Sequence, residues 1–95
     1  MNIYKISQTV NDGYDTYDSA VVVAENELEA AKIHPFGLGV LGFNKITCKY
    51  DKPWYESDTK DWTWASRLED VKVELIGTTD LYTEPHIIVA SFNAG

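Results

Sequence analysis

Ninety-five residues, 44% of them hydrophobic and 13% aromatic, suffice for one folded domain around a single core. Fifteen acidic against eight basic residues give a formal charge of −7, which disfavours direct nucleic-acid binding because phosphate contacts need Lys and Arg. The single cysteine, Cys48, leaves no disulfide framework, and the longest apolar run, Ala20 to Ala24, is far too short to span a bilayer.

In chain order, Ile3 to Val10 predicts a first strand with Tyr4, Ile6 and Val10 on one face and Lys5, Ser7 and Thr9 on the other. Asn11-Asp12-Gly13 predicts a turn, since these residues tolerate the positive φ of tight connections. Ser19 to Ala24 predicts a second strand, and its unbroken Ala-Val-Val-Val-Ala run suits a central position covered on both faces.

Asn26 opens a helix over 26–34, with Glu29 placed to complete a capping box, acidic residues at the start and Lys32 and His34 at the end. Leu28, Ala30, Ala31 and Ile33 form its apolar face, and Pro35 stops it. Pro35 to Asn44 reads as a loop. Lys45 to Tyr50 reads as a third strand with Ile46 and Cys48 inward, and Asp51 to Ser66 takes no regular element. Val71 to Ile76 alternates as a half-buried strand, and Ile87 to Phe92 is apolar enough for another central strand. The expected fold is α+β: one domain over 1–95, with an antiparallel sheet of four or five strands and a single helix packed on it.

Gly37-Leu38-Gly39-Val40-Leu41-Gly42 fits G-x-G-x-x-G, yet a dinucleotide site needs a strand before this motif and a helix after it. Here the order is reversed, and a mobile apolar loop is the expectation. Asp12, Asp15 and Asp18 lack the spacing of a Ca²⁺ loop, and His34, His86 and Cys48 are too dispersed for zinc. No nucleophile elbow, P-loop or H-E-x-x-H occurs, so neither enzyme activity, a cofactor nor a metal is expected.

Two acidic-aromatic stretches remain as candidates for partner contact. One holds Tyr14, Asp15, Tyr17 and Asp18; the other holds Trp54, Tyr55, Asp58, Asp61, Trp62 and Trp64. Aromatic rings supply rigid contact area, and carboxylates are costly to bury unpaired, so alternating them suits a surface that meets a partner. The tryptophans suit still better a roof over the sheet face that one helix leaves open.

Tyr4-Lys5-Ile6-Ser7-Gln8, Tyr14 through Ala24, the helix ending His34-Pro35, Asp70 through Gly77 and Ala90 through Gly95 resemble a group of small proteins encoded by phages and prophages. The likeness covers about half the chain and carries over no catalytic residue or cofactor. It implies a protein made in a bacterial cytoplasm, a location that also suits the absence of a visible secretory signal at Met1 to Lys5.

The expectation for function is a non-enzymatic inhibitor of a host protein, from a defence or nucleic-acid-handling system, that occupies a basic site through its acidic-aromatic surface. An oligomeric protein that sequesters a nucleotide-like signal, and a phage accessory or assembly protein, are the alternatives. A homo-oligomer is compatible with the sequence.

Overall fold

The computed structural model describes residues 1–93. Strand β1 (Asn2–Ser7) pairs antiparallel with β2 (Thr16–Ala24), from Asn2 opposite Ala24 to Ser7 opposite Ser19. Residues opposite each other in an antiparallel pair share a face, so Tyr4 and Ile6 of β1 lie beside Val22 and Ala20 of β2. All four are buried, and exposed Lys5 sits between them on the opposite face. This register brings those four side chains to one face; a slip by one residue would turn one strand's pair to the other.

Two further strands flank this pair. Strand β5 (Lys72–Thr78) lies on β1 and β6 (His86–Asn93) on β2, giving the antiparallel order β5-β1-β2-β6. The sheet continues one alternation across its width, with Val73 opposite Ile6, and Ile87 opposite Val22. Short helix α1 (Glu27–Ala31) packs Ala30 against that face, joined by Ile33, Trp54, Trp64 and Ala65. The α+β class with a four-stranded antiparallel sheet is therefore as expected.

The helix start follows from its cap: Asn26 Oδ1 accepts from Glu29 N at 2.9 Å. The Glu29 carboxylate turns to Lys32 Nζ at 3.5 Å rather than back to Asn26. The helix is shorter than the 26–34 span, ending at Ala31 with Lys32 as its C-cap, so His34 lies beyond it and Leu28 is exposed.

Four other expectations are corrected. Strand β1 stops at Ser7, so buried Gln8 continues the inward face and Val10 is exposed. The 35–44 loop contains a strand, β3 (Leu41–Asn44), which pairs with β4 (Lys49–Pro53) in a separate two-stranded sheet. The proposed strand 45–50 is instead mostly the turn of this hairpin. Asn44 Oδ1 accepts from Ile46 N at 3.0 Å, Cys48 adopts φ 56°, and both Ile46 and Cys48 point to solvent. Finally, β6 is an edge strand, not a central one, because no further strand follows it across the sheet.

The glycine motif also has a packing role. A Cβ on Gly42 would collide with the side chain of Ser57. Glycine there lets β3 approach closely enough for Ser57 Oγ to accept from Phe43 N at 3.1 Å.

Candidate functional site

The β1–β2 connection is long and built on side-chain hydrogen bonds. Gln8 Nε2 donates to Asn11 O at 2.6 Å and to Tyr17 O at 2.9 Å, while its Oε1 accepts from Asn11 N at 2.8 Å. Every polar atom of this buried amide is engaged, as burial of an amide requires. Thr16 Oγ1 donates to Gly13 O at 2.6 Å. Asp15 turns the chain with φ 60°, a left-handed conformation that Asp tolerates better than most residues. Its amide donates to Asn93 O at 2.6 Å, which anchors the loop to the end of β6. The fixed loop leaves Asp12, Tyr14 and Asp15 facing solvent, as Asp18 does near the start of β2, with Tyr14 79% exposed.

Asp61 organises the second stretch. Its Oδ1 accepts from Thr63 N at 2.8 Å, Thr63 Oγ1 at 3.0 Å and Trp64 N at 3.1 Å. Its Oδ2 meets His34 Nε2 at 2.8 Å. Phe36 N donates to His34 Nδ1 at 3.1 Å, so the ring presents its N–H from Nε2 to the carboxylate. The imidazole is buried edge-on to Trp54, with ring centroids 5.4 Å apart. Burial pushes the Asp61 carboxyl upward, but the bonds from His34 and Thr63 outweigh it and hold the group below its ordinary value.

These two stretches form one structure. Tyr17 N donates to Thr63 O at 2.8 Å, and Asn11 Nδ2 donates to Asp61 O and Trp64 O at 3.1 and 3.2 Å. Beside the junction, Trp62 stands 77% exposed with Lys60 Nζ 5.6 Å from its ring centre. Trp62, Tyr50, Phe43, Leu41 and Lys60 line a cleft of about 340 Å³.

The candidate residues divide by exposure. Tyr14, Asp15, Asp18 and Trp62 are on the surface and free to touch a partner. Trp54 and Trp64 are corrected from contact candidates to core residues, 4% and 0% exposed. Trp54 Nε1 donates to Lys32 O at 2.7 Å; Trp64 Nε1 is buried without a hydrogen-bond partner, so apolar contact holds that ring. Tyr17 is half-buried against Phe92 with centroids 4.8 Å apart, and Tyr55 is half-buried edge-on to Trp54.

Two of the candidate carboxylates are already occupied. Asp61 is committed to His34, Thr63 and Trp64. Asp58 accepts from Lys45 N at 2.7 Å and pairs with Lys52 Nζ at 3.1 Å, and these two contacts, in that order, lower its pKa.

Several residues that build the site were not singled out from the sequence for this role. Gln8 and Asn11 read as strand and turn residues, and nothing local announces that Asn11 reaches a segment fifty residues away. Tyr50 and Phe43 fell in an expected strand and an expected loop, and Lys60 carried no signal. Among the described residues, no three His, Cys, Asp or Glu side chains are arranged to hold a metal ion, and no helix is long and apolar enough to cross a membrane. Compared with protein-family models, curated proteins and solved structures, the chain matches none.

Proposed function

We propose that this protein is a non-enzymatic binding module that docks on a basic surface of another protein, with Tyr14 and Trp62 as its anchors. The observation that carries this reading is the display of two exposed aromatic rings on loops that Asn11 bonds directly to each other. The backbones that carry these rings are fixed before binding, so little main-chain freedom is lost on contact, which favours affinity. Asp12, Asp15 and Asp18 lie near Tyr14 in the chain and are exposed, and none forms an ion pair among the described residues. They supply the charge that would steer a cationic partner.

The partner class is a host protein whose basic surface handles nucleic acid, within a defence system or related machinery. A net charge of −7 repels nucleic acid itself and favours such a competitor role. The resemblance to phage-encoded proteins supplies the setting, a bacterial cytoplasm during infection. Capture from bacterial lysate identifies the partner, and titration calorimetry then measures its affinity. Tyr14→Ala and Trp62→Ala should each weaken binding by about tenfold or more while leaving the melting temperature nearly unchanged. Affinity should also fall steeply with added salt. Binding indifferent to both substitutions and to salt would sink the proposal.

The cleft beside Trp62 supports a second reading, sequestration of a nucleotide-like molecule stacked on aromatic rings with its phosphate toward Lys60. A thermal-shift screen with nucleotides tests it directly. A shift that Lys60→Gln abolishes would favour this reading over protein docking.

A further inference from the structure

The two edges of the four-stranded sheet differ in chemistry. Edge strand β5 carries Lys72 and Glu74, and charged residues on an edge discourage other strands from pairing there. Edge strand β6 reads His-Ile-Ile-Val-Ala-Ser-Phe-Asn, without a single Lys, Arg, Asp, Glu or Pro. Ile88, Val89 and Phe92 are 44%, 57% and 46% exposed. Beyond its pairing with β2, the main chain of β6 makes one hydrogen bond among the described residues, from Asp15 N to Asn93 O. From Val89 onward alternate residues of β6 direct N–H and C=O groups outward, and the only interruption of the row is a bulge at Ile88, where Val21 and Val22 pair with Val89 and Ile87.

An open row of main-chain groups is satisfied by another extended strand. We infer that β6 pairs antiparallel with β6 of a second copy of this chain, joining two four-stranded sheets into one of eight strands. Three observations select a second copy over a foreign strand. Antiparallel self-pairing is closed by a two-fold axis, so one exposed edge supplies both sides of the contact. The strand is uncharged, so self-pairing sets no like charges against each other, although the chain as a whole is strongly acidic. With the axis at Val89, exposed Val89 meets Val89 and Ile88 meets Ala90, apolar against apolar, while Phe92 meets His86. A two-fold centred on Val89 places the two Val89 side chains opposite each other on the face away from the core.

Salt separates this contact from docking to a basic partner. Self-association of two acidic copies should strengthen as salt screens their mutual repulsion, the reverse of the dependence expected for a cationic partner.

Sedimentation equilibrium on the full chain, across micromolar to millimolar concentrations, should reveal a monomer–dimer equilibrium that shifts toward dimer as salt rises. Val89→Lys places two cations opposite each other and should weaken the dimer at least about tenfold, with the circular dichroism spectrum unchanged. Ile76→Lys on the β5 side should leave it intact. Hydrogen exchange on the unmodified protein gives a readout independent of any variant's folding, since only amides of β6 should slow as concentration rises. A monomer at every concentration, or a dimer whose protected amides lie outside β6, overturns the inference.

Discussion

The β1–β2 pair with its helix and the segment from Phe36 to Ser66 are both ordered, but different forces order them. In the first, alternating side chains set the register, and Tyr4, Ile6, Ala20 and Val22 become one apolar face through local periodicity. In the second, a single carboxylate gathers His34, Thr63 and Trp64, while three chain-distant bonds tie the segment to the β1–β2 loop and the start of β2. A region held by many small apolar terms should lose stability in increments when trimmed. A region organised around one polar hub should lose its arrangement at a single substitution.

Trp64→Ala is the largest test of that contrast. The ring is wholly buried where the two regions meet, and its removal should cost about 3–5 kcal/mol in urea unfolding. A cost near 1 kcal/mol would show that the aromatic segment caps the core without supporting it.

Asp61→Asn comes next, at about 1–3 kcal/mol. The amide oxygen can serve Thr63 and Trp64, but the amide nitrogen would then face the Nε2–H of His34, donor against donor. The His34 ring cannot transfer its proton to Nδ1 without losing the bond from Phe36 N. This substitution also has a pH signature. The folded-state pKa of Asp61 lies below 3.8, so its contribution is fully present above pH 3.8 and is lost as pH falls through the lower folded value. The stability gap between the parent and Asp61→Asn should therefore be constant near neutrality and shrink in acid below pH 3.8. A gap independent of pH would remove Asp61 from its organising role.

Asn26→Ala addresses the other region and should cost about 1 kcal/mol, as for a typical N-cap. Its effect should be confined to α1, leaving partner binding through Tyr14 and Trp62 unchanged. The smallest effect is expected at Lys52→Ala. Its pair with Asp58 is solvent-accessible, and such contacts seldom register in thermal unfolding. A measurable loss there would mean that the β3–β4 hairpin contributes more rigidity to the cleft than its exposure implies.

The same contrast explains what could be read from the residues alone. Strands β1, β2 and β5 and the helix start were legible because periodicity and a cap are local signals. The β3–β4 hairpin was not, since Ile46 and Cys48 alternate as a strand would while Asn44 and Cys48 close a turn. The edge position of β6 was hidden because an apolar strand looks alike at a sheet's centre and at its margin; only strand order distinguishes them. For the site, Tyr14, Asp15 and Asp18 were legible as surface groups from composition. Whether Trp54, Trp62 and Trp64 faced in or out was not, because it depends on the Asp61–His34 contact across 27 residues.

The three tryptophans end in unequal surroundings, two enclosed and one in water. Their fluorescence therefore carries two separable signals. A soluble quencher such as iodide should reach only the Trp62 emission, and a partner seated on that ring should shield it and shift the red-edge component toward blue. The enclosed pair would change only when the core opens, so one spectrum distinguishes occupancy of the surface from loss of the fold without any added label.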